Sequence, residues 1–185
     1  MSTESKRFYD RARYRRLKAL QGPAKPDPIE ALCVVDRAYL AGLIDGEGSI
    51  YVGAFGPERK RSCYPAVAIG MTDKAIIEWV AGHFAVKVSY VCKRKNPKWL
   101  DQYFVRLSGK RAQILCRVLL PYLKVKRRQA ELVLTFPCDM RIAPGIKIEG
   151  TAVNAARFAL RDQINALNHR PRNSSARRAE AFNGG

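Results

Sequence analysis

Histidine is nearly missing from this sequence, and its few cysteines are widely spaced. Only two histidines occur among 185 residues, and no two of the five cysteines stand close together. Zinc sites need clusters of cysteine and histidine ligands at short spacings, and disulfide-stapled domains need a higher cysteine density. The sequence therefore argues against a zinc centre and a disulfide framework, and a catalytic metal would have to be bound by oxygen atoms.

Acidic residues and long apolar runs are also scarce. The chain has 16 Asp and Glu against 34 Lys and Arg, a formal net charge of +18 at pH 7. Such an excess favours a polyanionic partner, with nucleic acid as the default. No run of about 18 apolar residues is present, so no membrane partner is expected, and the start lacks the apolar segment of a signal peptide. We expect a soluble, intracellular protein, in the cytoplasm or nucleoid of a prokaryote or in an organelle.

The most informative stretch covers residues 40–50 and reads LAGLIDGEGSI. Asp36 is a suitable helix N-cap, and apolar residues at three- and four-residue spacings after it predict a short helix. Asp45 and Glu47 place two carboxylates at the negative pole of that helix, which is unfavourable unless a cation lies nearby. Gly48 leads into an alternating apolar pattern typical of a strand. The two acids are therefore predicted to lie at a helix-to-strand corner and to attract a metal ion.

This stretch closely resembles the motif that names the LAGLIDADG homing endonucleases. It departs from the motif at Gly46, in place of alanine, and at Glu47, in place of aspartate, and both are common variants. The resemblance covers residues 36–170. It implies an α+β protein with the LAGLIDADG homing-endonuclease fold, in which an α-β-β-α-β-β-α core with an antiparallel, four-stranded, saddle-shaped sheet is followed by C-terminal helices. The alternative is an ordinary capped amphipathic helix followed by a turn.

Patterns elsewhere in the chain predict the same order of elements. Alternating apolar residues between turn-forming residues predict two hairpins, with strands at residues 49–55, 62–71, 86–93 and 102–108. Helical spacing predicts further helices at about residues 72–84, 110–120 and 151–168. The resemblance implies one more, which begins just after Lys126. Thr72 is the predicted cap of the first of these. An antiparallel sheet with its helices on one face leaves its other face free.

Composition and the resemblance together divide the chain into three parts. We expect a basic N-terminal arm and linker at residues 1–30, the LAGLIDADG endonuclease domain at residues 31–170, and a basic, flexible C-terminal tail at residues 171–185. The arm is rich in Lys and Arg and ends in a segment rich in Pro and Gly, which is typical of a linker. It either lies along DNA phosphates or is a disordered solubilising tail, and the sequence does not decide between the two.

The resemblance assigns roles to individual residues. It implies that Glu47 is catalytic and binds Mg²⁺ together with the Gly46 carbonyl, and that Asp45 has a structural role in bracing the turn. Lys126 is expected to reach the active site and offset charge on the scissile phosphate, although it also fits an ordinary surface lysine. Asp73 lies where the family often has a polar residue, frequently glutamine, so it is a third catalytic candidate. Stabilisation of the helix dipole explains Asp73 equally well.

The free sheet face and the two hairpin turns form the expected DNA surface. Polar and charged side chains are common on any solvent-exposed sheet face, so no single residue of this surface indicates DNA binding. Only their collective positive charge favours contact with double-stranded DNA. The candidates for DNA binding are Tyr51, Arg59, Lys60, Arg61, Tyr64, Ser89, Lys93, Lys95, Arg106, Arg170 and Arg172.

The acid-bearing motif occurs once in the chain. A family member with one motif needs a twofold partner, so that two motif helices pack together and each subunit presents Glu47 to one DNA strand. The resemblance thus implies a homodimer whose interface is formed by Leu40, Ala41, Gly42 and Leu43. A twofold protein fits twofold DNA, so we expect a metal-dependent double-strand break at a long, near-palindromic target, as in intron homing.

Two other functions fit the same sequence. One is an RNA-binding intron maturase, with intron RNA as partner, or a DNA-binding regulator, on the same scaffold without cleavage. The other is a basic structural or ribosome-associated protein that binds RNA through its charge alone. The second leaves the two acids at the helix end unexplained.

Overall fold

The structure is a computed structural model and describes residues 26–57, 62–91, 100–138 and 151–168. Within these ranges the chain forms a short 3-10 helix, five α-helices and four β-strands. The 3-10 helix covers Pro28–Ala31. In chain order the other elements are α1 (Val34–Glu47), β1 (Gly48–Phe55), β2 (Ser62–Met71), α2 (Lys74–Phe84), β3 (Ser89–Val91), β4 (Gln102–Ser108), α3 (Lys110–Leu119), α4 (Arg127–Leu134) and α5 (Ala152–Asn168).

The four strands form one antiparallel sheet in the order β1-β2-β4-β3. β1 and β2 are a hairpin in which Gly48 lies opposite Ile69 and Phe55 lies opposite Ser62. β4 pairs with the other side of β2 and with the short edge strand β3. The predicted α+β class and the order helix, strand, strand, helix, strand, strand, helix are confirmed.

Alternating strand residues separate the two faces of the sheet. Ile50, Val52, Ile69 and Leu107 are buried and join the side chains of the helices in one hydrophobic cluster. Full burial of one such side chain contributes about 1.5–3 kcal/mol to stability. The residues between them on each strand point away from this core. We call the surface that they form the outer face of the sheet.

The structure corrects two predicted helix caps. α1 is capped by Cys33, whose Sγ accepts a hydrogen bond from the Asp36 amide at 3.4 Å, so Asp36 lies in the first turn of the helix. α2 is capped by Asp73, whose Oδ1 accepts from the Ile76 amide at 3.1 Å, and Thr72 precedes the cap. For α2, Thr72 and Asp73 are adjacent and both residue types are good caps, so the sequence does not distinguish them. For α1, Asp36 is the better cap by residue type, but the cap lies three residues earlier, at Cys33.

The segment before α1 belongs to the packed domain. Ile29, which the predicted boundary assigned to the linker, is fully buried in the core cluster. Arg111 of α3 donates to both carboxylate oxygens of Asp27, at 2.6 and 3.1 Å, and also to the carbonyl of Phe84 at the end of α2. The hydrogen bond from Arg111 lowers the pKa of the Asp27 carboxyl by more than burial raises it.

Parts of the sequence prediction lie outside the described residues. These are most of the basic arm, the tip of the first hairpin, the turn of the second, most of the loop before α5, and the C-terminal tail. β3 begins at Ser89, three residues later than predicted, because α2 ends in a left-handed turn at Ala85 (φ 46°) and the Val86 amide still bonds to the Ala81 carbonyl. No helix in the described ranges has the length and apolarity needed to cross a membrane.

Candidate active site

The site is built at the corner where α1 ends at Glu47 and β1 begins at Gly48. A Cβ atom on Gly48 would lie 2.7 Å from the Cα and 2.9 Å from the carbonyl oxygen of Ile44, too close for any other residue. The Gly48 amide donates back to the carbonyls of Ile44 and Leu43. The glycine therefore allows the chain to turn directly from helix to strand and fixes where Glu47 stands.

Asp45 connects the end of α1 to the segment that precedes α4. Its carboxylate accepts hydrogen bonds from three consecutive backbone amides: Oδ2 from Lys124 at 2.7 Å and from Val125 at 3.1 Å, and Oδ1 from Lys126 at 2.9 Å. Burial alone would raise the pKa of the Asp45 carboxyl, but the three amides and the charge of Lys126 together outweigh it and lower that pKa. Asp45 is thus held as a carboxylate by the backbone around it.

The side chain of Lys126 also binds the carboxyl end of α1. Its Nζ donates to the carbonyls of Ile44 at 2.8 Å and of Asp45 at 2.7 Å. A cation at the carboxyl end of a helix is stabilised by the helix dipole and by hydrogen bonds to the carbonyls of the last turn. The cation that the sequence requires near the two acids is therefore supplied in part by Lys126.

Glu47 is exposed and lies at one end of a groove on the sheet. The groove is lined by side chains from the end of α1 and from three strands: Glu47, Ser49, Ala68, Ile69, Gly70, Gln102, Tyr103, Phe104 and Arg106. The guanidinium of Arg106 lies 5.9 Å from the centre of the Phe104 ring, in cation–π range. The groove thus combines one carboxylate, one guanidinium and several neutral polar groups on a surface open to a large ligand.

Four of the predicted DNA-binding residues share the outer face. Strand register places Tyr51 opposite Ala66, Arg106 opposite Ala68 on the next strand pair, and Ser89 opposite Phe104. Tyr64 is on the same face, opposite Gly53. Ala66, Ala68 and Gly70 run along the middle of this face, so larger side chains on β1 and β4 stand on either side of a shallow floor.

Tyr51 and Arg106 approach each other across that floor. Burial raises the pKa of the Tyr51 hydroxyl, Arg106 acts in the opposite direction, and the neighbouring Tyr64 adds to the rise. The Tyr51 hydroxyl therefore stays protonated at neutral pH and is available as a hydrogen-bond donor on this face.

The predicted helix interface is only partly on the surface. Leu40 and Ala41 are fully buried in the core of the chain itself and cannot form a contact between subunits, which corrects their assignment. Gly42 is exposed and Leu43 is half-buried. Further exposed positions of α1 follow helical spacing from Gly42: Val35, Ala38, Tyr39 and Gly46.

Other predicted residues fall elsewhere. Asp73 is the exposed cap of α2, and the structure describes no role for it in the groove of Glu47. The remaining DNA-binding candidates lie outside the described residues: Arg59, Lys60, Arg61, Lys93, Lys95, Arg170 and Arg172.

Ser49, Gln102 and Phe104 also line the groove, and none of them was among the residues predicted from the sequence. A signal for them was present, because residues two apart on a strand share a face. Ser49 is two residues from Tyr51, and Gln102 and Phe104 precede Arg106 by four and two residues. Applying that period to the two named residues would have found all three.

No profile of a known protein family and no curated protein sequence matches the chain. Solved structures do. The homing endonuclease I-CvuI, in complex with the I-CreI target and 2 mM Mg with its DNA not cleaved, is 22% identical with a TM-score of 0.56, over 75% of this chain and 85% of that chain. A second structure of I-CvuI, with its own target and 2 mM Ca, is 22% identical with a TM-score of 0.52, over 80% of this chain and 91% of the other.

The chain therefore has the fold of the LAGLIDADG homing endonucleases, as its motif predicted. At this level of identity the likeness defines the fold alone.

Proposed function

We propose that this chain is a LAGLIDADG homing endonuclease of the single-motif type. As a homodimer it would make a Mg²⁺-dependent double-strand break at a long, near-palindromic DNA target, as in intron homing. The observation that carries the proposal is the position of Glu47, an exposed carboxylate fixed by a helix-to-strand corner at the end of a groove that also presents Arg106.

The oxygen ligands of this corner fit Mg²⁺ held jointly with DNA. Among the described residues, no cluster of three or more His, Cys, Asp or Glu side chains is placed to bind a metal ion. Mg²⁺ in nucleic-acid enzymes typically uses one or two carboxylates and completes its shell with phosphate oxygens and water. Glu47 and the Gly46 carbonyl would supply the protein ligands. Bound there, the ion would activate water and neutralise charge on the attacked phosphate.

The chain's own residues orient this chemistry. The amides that bind Asp45 and the carbonyls that bind Lys126 fix the last turn of α1, and hence the direction of Glu47. Lys126 brings a positive charge to within two residues of Glu47 along the helix. We infer that it helps to offset charge at the scissile phosphate, in addition to binding the helix end. Asp45 acts as a positioning residue.

The homodimer is supported by the exposed stripe on α1. Cβ atoms added at Gly42 and Gly46 would meet nothing within 4 Å, so packing within the chain does not require glycine at either position. Val35 and Tyr39 on the same stripe are 74% and 49% exposed. Small residues flanked by exposed apolar ones allow two helices to approach closely. A second α1 on this stripe would put two copies of Glu47 near one DNA duplex.

Selection of cleaved sites tests the proposal. The full chain is incubated with a randomised double-stranded DNA library in Mg²⁺ and, in parallel, in EDTA, and the cut ends are sequenced. The proposal expects a long, near-palindromic site that is recovered only with Mg²⁺. Tight binding to structured intron RNA without DNA cleavage under either condition would contradict it and indicate a maturase on the same scaffold.

A further inference from the structure

One end of the outer face carries an aromatic pair that the proposed cleavage chemistry does not use. Phe55 is the last residue of β1 and is 57% exposed. Its ring centre lies 5.7 Å from that of Tyr64, with the ring planes inclined at 58°. Phe55 and Tyr64 therefore form an apolar surface at the opposite end of β1 from Glu47.

Gly53 explains why this pair is fixed in place. A Cβ atom at Gly53 would lie 2.7 Å from Cζ and 2.8 Å from the hydroxyl oxygen of Tyr64, so the ring of Tyr64 lies directly across the backbone of β1. A single exposed apolar residue is common on protein surfaces. Phe55 differs because a neighbouring ring supports it, on a face that also carries polar side chains such as Tyr51 and Arg106.

The chemistry of this surface selects one feature of DNA. A two-stranded β-ribbon fits the major groove, where base edges present hydrogen-bonding groups and the 5-methyl of thymine as an apolar group. An aromatic ring without hydrogen-bonding atoms cannot read donors or acceptors, but it can pack against that methyl group. β1 spans seven residue steps from Gly48 to Phe55, about 23 Å at the rise of a strand, which corresponds to roughly seven base pairs.

We propose that Phe55, supported by Tyr64, reads a thymine through its 5-methyl group in each half-site, about seven base pairs from the cleaved bond. This inference rests on the proposed function, because it needs β1 to follow the major groove. It adds a specificity-determining residue that contacts a base and takes no part in cleavage.

The test compares target preferences of the unmodified protein with those of Phe55→Ala. Sites are selected from the randomised library with each protein, and the preferred duplex is then made with deoxyuridine in place of the thymine concerned, which removes only the methyl group. Loss of one buried methyl should weaken binding about fourfold. We expect the unmodified protein to bind the uracil duplex about fourfold less tightly, and Phe55→Ala to bind both duplexes equally.

Two further variants separate methyl recognition from general effects. Phe55→Leu keeps an apolar side chain and should retain part of the thymine preference. Leu167→Ala, at an exposed apolar residue of α5, should leave the preference unchanged. Thermal unfolding of each variant checks that the fold is intact.

The outcomes separate this inference from the proposed function. If a specific site is recovered and Phe55→Ala keeps the same preference at every position, or still distinguishes thymine from uracil, the inference is wrong and the endonuclease stands. If the unmodified protein selects no site, the proposed function fails and the inference fails with it.

Discussion

Asp45 and Lys126 hold each other through reciprocal hydrogen bonds to their backbones. The carboxylate of Asp45 accepts from the amide of Lys126 at 2.9 Å, and the ammonium of Lys126 donates to the carbonyl of Asp45 at 2.7 Å. The two residues are 81 positions apart in sequence. The acid-bearing corner of α1 is therefore tied at two points to the segment before α4, and the direction of Glu47 depends on both.

Replacing Lys126 tests whether it does more than bind the end of α1. Lys126→Met should lower the cleavage rate of the bound complex by about a hundredfold or more, because it removes positive charge beside the site. It should also reduce stability by about 1–3 kcal/mol, because two carbonyl acceptors lose a charged donor. Single-turnover cleavage and thermal unfolding measure the two effects separately.

Lys124→Met is the matched control for that variant, since Lys124 is exposed and only its backbone amide contacts Asp45. It should leave both quantities nearly unchanged. If Lys126→Met is less stable but cuts bound DNA at the normal rate, the role of Lys126 is purely structural.

The acid stability of the fold should depend on Asp45 and Asp27. The pKa of each carboxyl is lowered in the folded chain from the ordinary value of 3.8. Each therefore stabilises the fold fully above that value, and the contribution is lost as pH falls from about 3.8 through the lower folded pKa. Urea unfolding at a series of pH values should show stability falling steeply below pH 4.

Asp45→Asn and Asp27→Asn should each be less stable at pH 7 and should show a shallower fall in stability on acidification, because one linked proton is removed. Glu78→Gln is the control, since Glu78 is exposed and pairs only with the exposed Lys74 one turn away on α2. Identical acid dependence in the unmodified protein and Asp45→Asn would mean that the three amides do not stabilise the carboxylate.

The exposed stripe of α1 gives a test of the homodimer. Gly42→Leu places a large side chain where a second helix would pack, and should convert a dimer into a monomer in sedimentation while leaving thermal stability of the subunit nearly intact. Gly48→Ala is the contrasting variant. It should destabilise the fold, because its Cβ would meet the backbone of Ile44. A Gly42→Leu protein that remains a dimer would show that the subunits meet elsewhere.

The sequence predicted the order of elements and the helix-to-strand corner, because both depend on local patterns. Alternation defined β1, β2 and β4, and Gly48 marked the point where helix becomes strand. The motif also predicted a bracing role for Asp45, although the sequence did not indicate which groups bind its carboxylate. The three amides that bind it come from residues 124–126, and only the packing of α3 and α4 against the sheet brings them to α1.

The wrong interface assignment likewise concerns contacts that only the packing of the folded chain determines. Leu40 and Ala41 were assigned to a subunit interface because the motif helix as a whole was assigned there, yet they face the core of their own chain. Which side of α1 is buried depends on where the sheet lies. The spacing of Gln102 and Phe104 from Arg106 indicated their shared face, but β4 lies two strands away from Glu47, and only the strand order brings them into the groove of Glu47.

The catalytic role of Glu47 is tested by the Glu47→Gln variant on the selected duplex, with binding and cleavage measured on the same samples. The amide keeps the size of the side chain and loses the charge that would hold a divalent cation. We expect the variant to bind the duplex with unchanged affinity, to unfold at the same temperature, and to make no cut in Mg²⁺. Mg²⁺-dependent cleavage by Glu47→Gln at a rate close to that of the unmodified protein would contradict this role and place the chemistry on other residues.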